Sequence, residues 1–549
     1  MCVAIVMESR MHRNTKMAEG SNGVTFRRST AALLALLLSA SVALADWPTN
    51  PQTPLLVGNV SSLGAGDTLA CVATPDGATW VAWVDGQCFG VLRLQRISPG
   101  GTLLMPGPLS LFADDGCTSR EPRLAACTDG SIVVSAVDGS QNGGGGPLID
   151  SRLQRVASDG QALWGKGLIL PGGSGKVGQL LGLSDGDVLV AWNQGATVLA
   201  ARFNAAGAPV WAVPATITSP TGSSMRIFAL VSDGADGAFI FWDVPGPYTR
   251  AILAARVTAS GSPAWTQPLI VTPPVPASSR HTDPIAIAGA GGEAIVAWTE
   301  GAESSDTIVA IRCQRISPAG QMLLEPEGRR VSLAATRQFD VRVSRNPGNR
   351  DLYVAWRDGW MPQALRGQRL SAAGDRLWGD TGVLITAVAS VVGSHFDATW
   401  NANRLALSVV DVPAGPTDPR VHIHRVDFTG TVHDGPWPVS GETTGRAVHV
   451  GAAAAESNAL IVTWFNDPPG FADSVAAQRI NSDGSLGVHP GDATGDGAID
   501  INDLLAVVVH WGLCPSPFVS CTGDIDPSPD GNGDVDVNDL LKVITNWGQ

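Results

Sequence analysis

The sequence predicts a mainly β chain: an eight-bladed β-propeller over residues 46–488, followed by a small all-α module over residues 491–549. Three observations predict it. A unit of about 55 residues recurs eight times along residues 60–488. The composition suits short strands joined by turns, with 44% apolar residues, 16% charged residues, 64 Gly and 37 Pro. The last sixty residues carry a duplicated Asp/Gly-rich loop, each copy running into a short apolar helix.

The repeat is anchored on two strands. Apolar segments end at Trp83, Trp192, Trp242, Trp298, Trp356 and Trp464; IVVSA, ending at Ala136, and LALSVV, around Ser408, fill the same place without Trp. Each is followed by a strand ending near an arginine: Arg96, Arg155, Arg202, Arg256, Arg315, Arg369, Arg425 and Arg479. Five residues on comes a turn glycine, from Gly101 in the first unit to Gly484 in the last. Several units continue into Leu-Trp or its equivalent, at Trp164, Trp211, Trp265 and Trp378. Such a period gives one four-stranded blade per unit. A seven-bladed ring with one incomplete unit is the alternative. A string of β-sandwich domains fits less well, since those run to about 100 residues each. The repeated Trp reads as packing between blades. The repeated Arg reads as a donor to backbone carbonyls, or as a cation over a neighbour's indole.

Residues 1–45 read as a secretory signal. Arg27-Arg28 form a basic start, Ala31–Leu38 an apolar core, and Ala43-Leu44-Ala45 a small-residue cleavage site. Met11 and Met17 are alternative starts. The apolar run is too short to span a membrane, so the mature chain is expected outside the cell or on its surface. The net charge of −14, with no basic run after the N-terminus, argues against nucleic acid as a partner. Among the cysteines, Cys71, Cys88, Cys117 and Cys127 cluster, with three pairings open to them. Cys514 and Cys521 form an expected pair in the tail, and Cys313 is left as a buried thiol.

In the tail, Asn502-Asp503-Leu504-Leu505 recurs as Asn538-Asp539-Leu540-Leu541, and Trp511-Gly512 recurs as Trp547-Gly548. Calcium takes six to eight oxygens, which a 12-residue loop supplies from places 1, 3, 5, 7, 9 and 12. In the first loop these are Asp492, Thr494, Asp496, the Ala498 carbonyl, Asp500 and Asp503, with Gly497 at the sharp turn. The second loop offers Asp530, Asn532, the Asp534 carbonyl, Asp536 and Asp539. Its front end is irregular: a straight count puts Ser528 at the first place, inside Pro527-Ser528-Pro529, and Asp526 or Asp524 is the alternative across an insertion. Calcium, at two sites, is the expected cofactor. Leu504, Leu505, Val507, Val508 and Trp511 follow a helical apolar pattern, as do Leu540, Leu541, Val543, Ile544 and Trp547. The two faces are expected to pack together. Ten Asp against one Lys give this segment a net of −9, so its folding is expected to follow metal binding.

This duplicated arrangement resembles a type I dockerin. The resemblance covers about 59 of 549 residues. It implies a module that binds a cohesin-like domain on a scaffold or cell-envelope protein, often on behalf of polysaccharide-degrading hosts. Loop places 10 and 11, which contribute to cohesin recognition in that family, are Ile501-Asn502 and Val537-Asn538 here. The alternative is a metal-bound structural end-cap with no partner.

The body shows no catalytic motif of the serine-hydrolase, zinc-protease or phosphate-loop kinds. Glycosidases need two carboxylates at a set separation; Asp114-Asp115, Asp243 and Asp358 are loop acids that such a pair would draw on. Trp360 is the best candidate for stacking on a sugar. His422-Ile423-His424 reads as a pair on a solvent face. The leading expectation is a secreted docking protein on a propeller scaffold. The alternatives are a polysaccharide-degrading glycoside hydrolase or lyase, and a structural envelope protein.

Overall fold

A computed structural model describes residues 47–548 apart from 62–68, 87–89, 113–117, 140–149, 171–177, 221–225, 245–250, 273–278, 303–307, 360–362, 389–395, 402, 412–418, 434–435, 442–445, 455–458, 468–471, 483, 495–498, 515–522 and 526–533. The segment read as a secretory signal lies outside the described residues, as do Asp114-Asp115, Trp360, Cys88 and Cys117. No helix among the described residues is long and apolar enough to cross a membrane.

Eight antiparallel four-stranded sheets follow one another along the chain, so the eight-blade count holds. Blades 1 to 7 span residues 69–111, 118–170, 179–218, 226–270, 279–330, 338–388 and 396–438. Blade 8 takes three strands from residues 446–480 and its fourth, outermost strand from Leu55–Asn59 at the other end of the body. The first strand of every blade lies innermost and neighbours the first strand of the next, blade 8 returning to blade 1. The sheets thus close into a ring, and no inner edge is left open to pair with another chain.

The core sits between blades rather than within them. Eight apolar clusters each join two adjacent blades, and the strand tryptophans Trp83, Trp242, Trp298, Trp356 and Trp464 are fully buried in them. The second set of tryptophans reaches forward: Trp164 Nε1 donates to Ala205 O at 3.0 Å, Trp211 to Ala259 O at 3.0 Å, Trp265 to Pro318 O at 3.0 Å and Trp378 to Phe428 O at 3.1 Å. The turn glycine of the following blade lies against that same indole, as Gly207 does on Trp164 and Gly261 on Trp211. Blade 8 has no such Trp after Arg479; Trp47 fills the place, donates to Pro99 O at 2.8 Å and packs on Gly101 of blade 1.

The repeated arginines bond forward as well. Arg155 donates to Gly186 O at 2.8 Å, Arg256 to Pro318 O at 3.2 Å, Arg315 to Ala372 O at 2.6 Å and Arg369 to Phe428 O at 2.6 Å. Most also hold a carboxylate in the turn between the first two strands of their own blade, as Arg155 holds Asp129 at 2.9 Å and Arg256 holds Asp233 at 2.7 Å. One guanidinium therefore ties a turn of its own blade to a turn of the next, and its long flat donor fork suits that double role.

Some expectations are corrected. Both faces of a blade are covered by neighbouring blades, so His422 and His424 are buried instead of lying on a solvent face. Cys71 and Cys127 are free thiols, so none of the three four-cysteine pairings forms in full. Cys313 is buried, as expected, and Cys514 is disulfide-bonded.

Candidate functional site

Two regions gather chemistry: the loop–helix pairs at the C-terminus and a cavity at the centre of the ring.

In the C-terminal region, helix α1 spans Ile501–Val509 and helix α2 spans Val537–Thr545. Both start in the same way. The Asp500 side chain accepts from Asn502 N at 2.7 Å, while Asp500 N donates to Asp503 Oδ2 at 2.8 Å. Asp536 and Asp539 repeat these bonds at 2.7 Å each. This reciprocal capping satisfies amide groups that a helix start leaves open. The other oxygen of each third-position aspartate reaches back to the front of its loop: Asp503 Oδ1 accepts from Thr494 N at 2.9 Å, and Asp539 Oδ1 from Ile525 N at 2.6 Å. Asp503 and Asp539 are both completely buried.

The two copies clasp each other about a pseudo-two-fold axis. Gly548 N donates to Ile499 O at 2.9 Å, and Gly512 pairs with Val535, Gly548 and Val535 standing 36 residues after Gly512 and Ile499. Gly491 packs on Lys542 O in α2, and Gly523 packs on Ala506 O in α1. The repeated Trp-Gly is thereby explained: each glycine after a helix meets the eighth place of the other loop. Since Gly523 stands where Gly491 does, Asp524 follows it as Asp492 follows Gly491. The extra residues of the second loop come later.

Of the expected calcium ligands, Asp492, Thr494, Asp500, Asp503, Asp534, Asp536 and Asp539 are described; Asp496, Ala498, Asp526, Asp530 and Asn532 lie outside the described residues. Among the described residues, no three His, Cys, Asp or Glu side chains converge as a metal set. The donors present are nonetheless of the hard-oxygen kind that calcium takes. Among the described residues, the buried Asp503 carboxylate accepts from Thr494 N and Oγ1 and from Asp500 N.

The apolar residues of the helices divide differently from expectation. Leu504, Val507, Leu540 and Val543 turn inward with Ala506, onto a core that includes Ala493, Ile499 and Val535. Leu505, Val508 and Trp511 turn outward with Ile501; Leu541, Ile544 and Trp547 do the same with Val537. Leu505 and Leu541 are each 50% exposed, Val508 and Ile544 likewise. Two nine-residue helices crossing on so small a core cover one narrow stripe apiece. Asn502 and Asn538 are exposed beside these outer stripes.

The central cavity has a volume of about 890 Å³ and is lined by blades 2 to 6. It rests on a feature of the inner strands that the repeat period does not display. The first strands of blades 2, 5 and 6 each carry one extra residue at the same height, between Arg120 and Arg123, Thr282 and Ile285, and Phe339 and Arg342. At each bulge stands an acid with a left-handed backbone: Glu121 at φ 50°, Asp283 at φ 49° and Asp340 at φ 53°. Bulges re-aim side chains, and all three acids line the cavity beside Arg123, Arg226, Arg342 and Arg357. Asp340 is held by Arg342 at 2.7 Å and by Arg357 at 3.2 Å. Burial pulls the Arg357 guanidinium below its ordinary pKa, and Asp340 opposes that shift.

The loop acids proposed from sequence do other work. Asp243 holds Arg226 at 3.1 Å, and Asp358 holds Arg366 at 2.7 Å and accepts from Thr336. Both serve as counter-ions.

No protein-family model matches the chain, and no curated protein matches it. Among solved structures, the PL25 ulvan lyase, a polysaccharide lyase, is 11% identical with a TM-score of 0.42, over 79% of this chain and 96% of its own. The BP39L lectin from Burkholderia pseudomallei is 16% identical with a TM-score of 0.43, over 70% of this chain and 100% of its own. A eukaryotic initiation factor stands at 11% and 0.41, over 78% and 89%. A lyase, a lectin and an initiation factor stand at one level of likeness, so function is argued from this chain's own residues.

Proposed function

We propose that this chain is a secreted β-propeller that docks, through a calcium-dependent dockerin-like module at residues 491–549, onto a cohesin-like domain or another cell-envelope protein. One observation carries the reading: two matched stripes of exposed apolar residues, Ile501, Leu505, Val508 and Trp511 on α1 and Val537, Leu541, Ile544 and Trp547 on α2. A contiguous exposed apolar surface marks an interaction site, and an end-cap would have buried it. The pseudo-two-fold gives the partner two equivalent surfaces, with Asn502 and Asn538 at the head of each. Calcium fits the same module. Asp492, Thr494, Asp496, the Ala498 carbonyl, Asp500 and Asp503 supply one site; Asp526, Asp530, Asn532, the Asp534 carbonyl, Asp536 and Asp539 supply the other, with Asp524 in register for the first place. A buried carboxylate such as Asp503 is stabilised by a cation at that place. The test is capture from cell-envelope extract with the full chain as bait, in calcium and in chelator. A partner retained only in calcium, and lost when Leu505→Glu and Leu541→Glu are combined, supports docking. Retention unchanged by chelator or by the double variant refutes it.

A second reading places polysaccharide chemistry, as a glycoside hydrolase or lyase, in the propeller itself. The convergence of Glu121, Asp283 and Asp340 on one cavity favours it.

A further inference from the structure

We infer that the central cavity is a binding site for an uncharged oligosaccharide, gripped by Glu121, Asp283 and Arg123. The inference deepens the second reading and rests only on the propeller bearing the ligand; it is independent of the docking module.

Charge sorting singles out these three residues. Asp340 is engaged by Arg342 and Arg357, and Arg226 by Asp243. Glu121, Arg123 and Asp283 are exposed to the cavity and have no hydrogen-bond or ion-pair partner among the described residues. With those pairings counted, two free carboxylates face one free guanidinium and one surplus positive charge from the Arg342–Asp340–Arg357 group. The lining is balanced, so it attracts neither a polyanion nor a polycation.

The chemistry of the free groups then chooses the ligand. A carboxylate is an acceptor at both oxygens and takes a pair of neighbouring hydroxyls; a guanidinium fork donates to hydroxyl and ring oxygens. Glu121 and Arg123 lie on blade 2 and Asp283 on blade 5, three blades round the ring. A ligand meeting both must carry polar groups around its perimeter, as sugars do, unlike a peptide end with one charged head. Phe228 and Phe339, both partly exposed in the lining, offer apolar surface to the C–H faces of a sugar ring. The volume falls within the ~300–1,000 Å³ of small-molecule sites.

The left-handed backbone at Glu121 and Asp283 fits this assignment. An ordinary L-residue loses stability there, and here the conformation turns each carboxylate toward the cavity.

The experiment is calorimetric titration of the full chain with four neutral tetrasaccharides (cello-, xylo-, manno- and malto-forms), with tetragalacturonate and with tetra-alanine. At least one neutral sugar is expected to bind, with tetragalacturonate and the peptide at least tenfold weaker. Glu121→Gln, Asp283→Asn and Arg123→Gln are each expected to weaken the neutral sugar at least tenfold with unchanged melting. Asn tolerates the left-handed backbone, so Asp283→Asn keeps the test open if Glu121→Gln unfolds. Absence of binding by every neutral sugar, preference for the uronate or peptide, or indifference to all three variants overturns the inference. Bound sugar recovered intact leaves it standing and removes the enzymatic reading; cleaved sugar supports both.

Discussion

Replacing Gly261 by Ala tests how far the ring depends on the contact between a turn glycine and the preceding blade's indole. Gly261 has φ +84°, and a Cβ there would lie 2.6 Å from Trp211 Cδ2 and 2.9 Å from two further ring atoms. The indole is held in place by its bond to Ala259 O and is buried. Gly195 is the control: φ is +58° and nothing lies within 4 Å of an added Cβ. A left-handed backbone costs an L-residue ~1–2 kcal/mol, which both variants incur. Overpacking against a fixed ring adds ~1–3 kcal/mol at Gly261 alone. Gly195→Ala is therefore expected to cost ~1–2 kcal/mol and Gly261→Ala ~2–5 kcal/mol. A body of ~440 residues has an unfolding entropy of ~0.9 kcal/mol/K, so the melting temperature should fall by ~1–2 °C and ~2–5 °C respectively. Calorimetry measures both, with the urea midpoint as a check. Removing the ring isolates the contact: in a Trp211→Ala background, Gly261→Ala should cost no more than Gly195→Ala. Equal losses in the two single variants would refute the argument, leaving backbone conformation as the only reason for the glycine.

Other consequences can be measured directly. Arg155 is buried and bonds Ser131 Oγ at 2.9 Å, Gly186 O at 2.8 Å and Asp129 Oδ2 at 2.9 Å. Arg155→Met should cost ~1–3 kcal/mol by urea denaturation, since it leaves the Gly186 carbonyl of blade 3 without its donor from blade 2; no measurable loss would mean that the carbonyl finds water instead. Asp236 accepts from Ser184 N and Oγ, each at 3.0 Å, across blades 3 and 4, and these bonds lower its pKa. Its contribution is whole above its unfolded value of about 3.9 and is lost as pH falls through the lower folded value. Asp236→Asn should flatten the stability profile below about pH 4, and an unchanged acid limb would discard that role. Combined replacement of Asp492, Asp496 and Asp503 by Ala should abolish any helix gained on adding calcium, read by far-ultraviolet circular dichroism; an undiminished gain would remove the first loop as a calcium site.

The blade count was legible because the repeat records contacts that recur from blade to blade. An arginine reaching the next blade's carbonyl, and a glycine lying on the preceding blade's indole, must stay in step with the strands that carry them. The ring closure was not legible, since Leu55–Asn59 joins blade 8 only through pairing with Ser474–Ile480, some 420 residues away. Polarity misled where both faces of a sheet are covered. On an isolated two-sided sheet, His422 and His424 would mark the wet face; between two blades no face is wet, and the pair is buried. The same geometry hid the cavity. Aligning the units on their Trp and Arg strands leaves the first strand of each blade unaligned, and a bulge then shifts its alternation by one residue. Glu121-Pro122-Arg123, Asp283-Pro284-Ile285 and Asp340-Val341-Arg342 nevertheless share a signal: an acid, then Pro or Val, then the strand proper. The period was thus most regular where side chains serve packing. It broke at the bulged first strands of blades 2, 5 and 6, where an extra residue turns a carboxylate from the blade interface toward the centre of the ring.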